Sequence, residues 1–218
     1  MLHVLKRNPL FEGLTPAELD HVIQCHQPRI VTFLEGQTVF SLGDTLQEVG
    51  VVITGQIALF KSDFSGNESI IQTMNIAESF GEAIAMTPNE TTRVYAKATE
   101  RTTVAFFRMA MFTTQAAHPC GYGLKIQLNL MRVLAQKLIQ LHKKIDILAK
   151  RSIRERVLDY FLQLAHHGSE CVIPFNRQAL ADYLNVDRSA LAREMKKMQE
   201  EGLFTLQGRH VILKRSSS

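Results

Sequence analysis

The sequence predicts an α+β protein in three parts: an antiparallel β-structure, one long helix, and a small basic domain of helices closed by a hairpin. Three observations lead there. Residues 29–108 break into short apolar runs separated by turn residues. Leu124–Leu148 carries apolar residues at alternating steps of three and four, without a Pro or Gly. Asn176–Phe204 holds two amphipathic helical segments joined by a sharp turn. With 218 residues the chain can build two modest cores, and the boundaries read as 1–117, 118–149 and 150–218.

At the N-terminus, Thr15-Pro16-Ala17-Glu18 supplies a cap, an N1 proline and a Glu at N3. A short helix should follow to about Gln24, with Leu19, Val22 and Ile23 inward. The strand-like runs are Ile30–Phe33, Thr38–Phe40, Glu48–Thr54, Gln56–Lys61, Ser69–Met74, Val94–Ala98 and Thr102–Phe107. Turn signals lie between them at Glu35-Gly36, Leu42-Gly43-Asp44, Thr54-Gly55 and Thr87-Pro88-Asn89, and Asp63–Asn67 reads as a hairpin tip. Short strands punctuated this often predict an antiparallel roll, barrel or sandwich. Met109–Ala117 reads as a helical connector.

The long helix should start near Pro119 or after Gly123, because His118 precedes a proline. Its seam is Leu124, Gln127, Met131, Leu134, Leu138, Leu141, Ile145 and Leu148. A stripe of period 3.5 is narrower than a globular core helix needs, so its expected partner is a second copy of itself.

After Lys150-Arg151, Ser152–Leu164 places Ile153, Val157, Leu158, Phe161 and Leu164 on one helical face, and Cys171–Phe175 reads as a strand. Asn176 caps a helix over Arg177–Leu184, and Asn185 can take the left-handed conformation a sharp turn needs. Asp187 or Ser189 caps a second helix whose core face is Leu191, Met195 and Met198. Its outward residues are Arg188, Ser189, Arg193, Lys196 and Lys197. This is a helix-turn-helix, and a Leu203–Leu213 hairpin turning at Gln207-Gly208 makes it winged.

Charge is distributed to match. The net +4 divides into 8 Lys/Arg against 12 Asp/Glu in residues 1–117, 5 against 1 in 118–149, and 12 against 8 in 150–218. An acidic first half and a basic second half direct a polyanion, double-stranded DNA, to the C-terminal part. Arginine bonds bidentately to guanine, so Arg188 and Arg193 are the base readers, with Ser189 able to reach a base edge. Asn176, Arg177, Gln178 and Lys196, and Arg209 at the hairpin tip, suit backbone contacts.

Other classes lack their residues. Eighteen consecutive apolar residues and a secretory leader are both missing, and three scattered cysteines make no disulfide framework, so a cytoplasmic protein without membrane contact is expected. G-x-S-x-G, the phosphate-cradling G-x-x-x-x-G-K-[ST] and H-E-x-x-H do not occur, so an enzyme is not expected.

The N-terminal PLFEGLTPAEL, a glycine-punctuated β-segment containing Phe80-Gly81-Glu82, the long helix and RQALADYLNVDRSALAREMKKM together resemble the cyclic-AMP receptor protein/fumarate-nitrate regulator (Crp/Fnr) family over nearly the whole chain. The resemblance implies a cyclic-nucleotide-binding-like β-roll of jelly-roll type. It also implies a homodimeric bacterial transcription regulator that binds palindromic DNA, meets RNA polymerase, and is gated by a small-molecule effector held between the roll and the long helix. The family pocket maps to Gly81, Glu82, Thr92 and Arg93. Members that bind cyclic AMP carry an Arg-Ser pair where this chain has Thr92-Arg93, so the arginine falls one position late and, in a strand, on the opposite face. The effector is therefore expected to be something other than cyclic AMP, its identity open. In the recognition helix, Arg188-Ser189 replaces the Arg-Glu of members that read TGTGA, which predicts a related palindrome rather than that one.

The alternatives are a regulator of the same fold that is constitutively active, or one switched by redox state or haem. Three cysteines (Cys25, Cys120, Cys171) fall short of the four thiolates of an iron–sulphur cubane. His3, His21, His26, His142 and Cys25 are available as haem ligands, but no local motif selects any of them.

Overall fold

A computed structural model describes residues 1–62, 68–87, 89–113, 121–166 and 168–214. The expected hairpin tip at Asp63–Asn67, Pro88, the 114–120 stretch with His118, Pro119 and Cys120, His167 and the serine tail lie outside the described residues. The chain divides into two compact units, Met1–Gln136 and Lys137–Ser218.

The first unit opens with helix α1 (Leu2–Leu5), a 3-10 turn (Pro9–Phe11) and helix α2 (Pro16–His26). The α2 cap forms as its sequence dictates: the Thr15 hydroxyl accepts from the Glu18 N–H at 3.2 Å, and the Glu18 carboxylate accepts from the Thr15 N–H at 2.6 Å. Buried Asn8 anchors this segment by donating to the Ala77 carbonyl at 2.9 Å.

Eight strands follow in two four-stranded antiparallel sheets. One has the order β1 (Arg29–Phe33), β8 (Thr102–Arg108), β3 (Glu48–Thr54), β6 (Ser79–Phe80). The other has the order β2 (Thr38–Phe40), β7 (Tyr95–Ala98), β4 (Ile57–Ser62), β5 (Glu68–Met74). Alternation along β3 and β8 separates two cores. Val52, Val104 and Phe106 face the other sheet with Ile57, Met74, Ala96 and Ala98. Val49, Val51, Ala105 and Phe107 face the helices. Gly50 is fixed by close approach: a Cβ there would stand 2.3 Å from Cζ of Phe80, so the ring fits only against bare backbone.

Two elements differ from expectation. Strand β6 and helix α3 (Glu82–Met86) are too short for periodicity to register, at two and five residues. The connector is helical as α4 over Ala110–Thr113.

Helix α5 runs Gly123–Leu148, so it begins at the later of the two expected positions, with Gly123 as its first residue. Ile126, Asn129, Leu130 and Val133 bury one face in the first unit. Asn129 donates to the carbonyls of Leu10 at 3.2 Å and Glu12 at 2.9 Å. Of the expected seam, Leu124, Met131, Leu138, Leu141 and Ile145 lie exposed, joined by Leu128 and Ile139. Gln127 and Leu148 are half-buried, and Leu134 packs partly against its own core. The exposed stripe is thus broader than a strict heptad seam and rotated from it where the helix rests on its own domain.

The second unit takes in the end of α5, where Ile147 is fully buried. It continues with α6 (Ile153–Leu164), β9 (Glu170–Val172), α7 (Arg177–Tyr183), α8 (Arg188–Glu200) and the hairpin β10 (Phe204–Gln207) and β11 (His210–Leu213). Its sheet order is β10-β11-β9. Phe161, Leu180, Leu184, Leu191, Met195, Met198 and Phe204 form the core. Among the described residues, no helix is long and apolar enough to cross a membrane.

Candidate nucleic-acid interface

The α7–turn–α8 segment is built by local hydrogen bonds. Asn176 caps α7, its Oδ1 accepting from the Ala179 N–H at 2.8 Å. Asn185 sits at φ 52°, the left-handed region a tight turn requires, and its N–H donates to the Asp182 carbonyl at 3.1 Å. The Val186 N–H closes the corner on the Ala181 carbonyl at 3.0 Å. Asp187 is the cap of α8, its Oδ1 accepting from the Ala190 N–H at 2.9 Å.

The same oxygen accepts the Ser189 hydroxyl at 2.5 Å. That hydroxyl, then the Ala190 N–H, and more weakly the Arg193 charge hold the Asp187 carboxyl below its ordinary range. Ser189 also lies 3.4 Å from Nη1 of Arg193. The three residues expected to read bases are therefore partly organised in advance: Ser189 bonds the Asp187 cap, Arg193 approaches Ser189, and Arg188 is exposed at the first position of the helix.

The expected backbone contacts separate into two groups. Asn176, Arg177 and Arg209 line one small cavity of about 210 Å³ with Leu180 and Gly208, so the start of α7 and the wing tip meet there. Gly208 at φ 62° and Arg209 form the two-residue loop between β10 and β11. Gln178 instead engages Asp182 at 2.8 Å, and Lys196 approaches Glu200 at 3.8 Å one turn along its helix. Both remain exposed.

Sequence reasoning missed the groups that hold α8 in place. Arg154 on α6 donates from Nε to Glu194 at 2.8 Å and, through both terminal nitrogens, to Glu201 at 2.6 and 3.0 Å. This planar fork ties the start of α6 to the middle and the C-cap of α8. Arg156 donates to the Leu184 and Asn185 carbonyls, each at 3.2 Å, satisfying the backbone of the turn itself. Lys144 on α5 stands 4.8 Å from the Tyr183 ring centroid. No local signal marks Arg154 and Arg156 for this role, because Glu194, Glu201, Leu184 and Asn185 lie 28 to 47 residues away from them.

In the first unit, the four residues at the family's effector position divide between buried Glu82 and Thr92 and solvent-facing Arg93. Gly81, at φ 86°, caps α3, and buried Glu82 accepts the Ser79 hydroxyl. Thr92 is buried with its hydroxyl donated to the Ser41 carbonyl at 2.6 Å. Arg93 points to solvent, its side chain 89% exposed and 3.8 Å from Glu90. Among the described residues, no cluster of three or more His, Cys, Asp or Glu could hold a metal ion. Cys25 is exposed and Cys171 buried.

Residues 155–217 match the Crp-like helix-turn-helix domain family, and residues 30–118 match the cyclic nucleotide-binding domain family. The chain is 26% identical over 202 residues to the cyclic AMP receptor protein of Thermus thermophilus, covering 93% of this chain and 90% of that one. It is 27% identical over 211 residues to the probable transcriptional regulator flp of Lacticaseibacillus casei, covering 93% and 90%. In structure it is similar to the c-di-GMP-responsive global regulator CLP of Xanthomonas campestris. The TM-score is 0.61 at 20% identity, over 90% of this chain and all of that one. The effectors in these names differ, cyclic AMP in one and c-di-GMP in another, on one shared fold.

Proposed function

Because the chain belongs to the Crp/Fnr family of transcriptional regulators, we propose that it acts as a homodimer on palindromic double-stranded DNA, gated by an effector other than cyclic AMP. Residues 1–117 serve as the sensor, 118–149 as the dimerisation helix and 150–218 as the DNA-binding domain. The two α5 helices pair through Leu124, Met131, Leu138, Leu141 and Ile145. Arg188, Ser189 and Arg193 read base edges. Asn176, Arg177, Gln178, Lys196 and Arg209 hold the phosphate backbone, and RNA polymerase is the further partner.

The observation that carries this proposal is α8 itself. Its Leu191, Met195 and Met198 face is buried, while Arg188, Arg193 and Lys196 stand exposed along the opposite side. The solvent-facing Arg93 supports the exclusion of cyclic AMP, since the guanidinium that would meet a cyclic phosphate is turned outward.

The test is selection of bound duplexes from a random pool, followed by affinity measurements at two salt concentrations. The expected site is a palindrome related to TGTGA but relaxed at the position opposite Ser189. Arg188→Ala or Arg193→Ala should weaken specific binding roughly ten- to a hundredfold and leave non-specific binding nearly intact. Lys196→Ala should weaken both and reduce the salt slope by about one. A pool without sequence preference would remove the DNA reading, and a strict TGTGA half-site would contradict the role given to Ser189.

A further inference from the structure

The β-sandwich holds a cavity of about 690 Å³ at the end where β1 and β3 begin and β8 finishes, and Arg93 is not among the residues that line it. Its apolar wall is aromatic. Phe80 and Phe106 meet edge to face at 6.1 Å, Phe40 lies 6.3 Å from Phe80, and each ring is buried to within a tenth of its surface. Strand register places the charged wall. Arg29 and Gly50 are the cross-strand partners of Phe106, and Glu48 is the partner of Arg108. The Arg29 guanidinium stacks 4.5 Å over the Phe106 ring and is pinned by Glu48 at 2.5 Å. Arg108, across from Glu48, is exposed, and no hydrogen bond or ion pair is found for its guanidinium among the described residues.

One carboxylate is thus used by one arginine, and the second arginine lines the same cavity as the three phenylalanines with its donors open. Asp44, the other acid of the cavity, accepts the Ser41 N–H at 2.7 Å within its own turn. An aromatic ring matches the three phenylalanines and the face of Arg29. A carboxylate or similar anion matches the fork of Arg108. We infer that this cavity, rather than the Glu82–Arg93 position, receives the effector, and that the effector is a small aromatic or otherwise planar apolar molecule bearing one anionic group. The inference rests on the reading of the β-domain as an effector receiver. The cavity is also placed to be sensed: its wall includes Ala85 and Met109, which pack with the core that Ile126, Leu130 and Val133 of α5 enter.

The test uses the full-length protein and four probes: benzoate, phenylacetate, 2-naphthoate and indole-3-acetate. The chain has no tryptophan, so indole fluorescence reports binding of the last directly. The larger probes are expected to bind with a Kd of about 1 mM or tighter, as their size allows. Arg108→Glu, a change at an exposed side chain for which no hydrogen bond or ion pair is found among the described residues, should weaken indole-3-acetate about tenfold or more while leaving uncharged indole nearly unaffected. Arg93→Ala should change neither. Absence of binding by all four probes at about 5 mM, equal affinity in Arg108→Glu, or loss of binding in Arg93→Ala would each overturn the assignment. Sequence-specific DNA affinity measured on the same samples keeps the two ideas apart. Specific DNA binding without probe binding removes the cavity alone. Arg108-dependent probe binding without specific DNA binding keeps the cavity and removes the regulator reading.

Discussion

The proposed pairing through α5 predicts that replacing Leu138 and Leu141 together with glutamate converts a dimer to a monomer. Both side chains are about half exposed, 53% and 54%, on a helix whose other face is already occupied. Complete burial of a leucine is worth about 1.5–3 kcal/mol, so covering the exposed half against a second copy contributes about 1 kcal/mol per side chain. Two residues on two chains give about 4 kcal/mol, before the cost of seating four carboxylates in an apolar seam. That loss alone raises the dimer dissociation constant by about a thousandfold. Sedimentation velocity at micromolar protein reads the change directly, and binding to the selected palindrome should weaken with it. Gln136→Glu, exposed and on the side of the helix away from Leu138, controls for charge and should remain dimeric. A double variant that sediments as a dimer with unchanged affinity would refute pairing through α5.

Three further outcomes follow from local packing and titration. Gly50→Ala drives a methyl group into the Phe80 ring, 2.3 Å from Cζ, and should cost about 1–3 kcal/mol, lowering the thermal midpoint by roughly 3–10 °C; an unchanged midpoint would mean that the ring is free to move. The Asp187 carboxyl is depressed in the fold, so its capping contribution is present above its unfolded pKa and is lost as the pH falls through the folded value. Urea unfolding of the second unit should therefore weaken below about pH 4, and Asp187→Asn, which can still cap, should show a flatter acid limb; superimposable profiles would exclude Asp187 as a source of that limb. In a Cys120→Ser background, a thiol reagent at pH 8 should label exposed Cys25 and spare Cys171, which is buried and whose thiol burial pushes up and keeps protonated; labelling of Cys171 before unfolding would contradict its burial.

Elements specified by neighbours in the chain were legible from residue order alone. The α2 capping box, the Asn176 cap, the left-handed Asn185 and the buried face of α8 depend on spacings of three to seven residues, which helical geometry reads out directly. The strands of the sandwich were visible as runs because alternation is also local, although β6 and α3 were too short to leave a pattern.

Tertiary structure decided what depends on register and distant partners. The heptad of α5 is a property of order, but whether Leu134 faces a second copy or its own core depends on how the helix lies on its domain. Arg154 finds Glu194 and Glu201, and Arg156 finds the helix-turn-helix backbone, only once α6 packs beneath α8. Likewise Arg29, Glu48, Phe80, Phe106 and Arg108 are scattered over eighty positions and meet because antiparallel pairing sets them side by side. A helix repeats its contacts every few residues and so shows them in sequence; a cavity between strands is a coincidence of registers, and no single stretch of chain contains it.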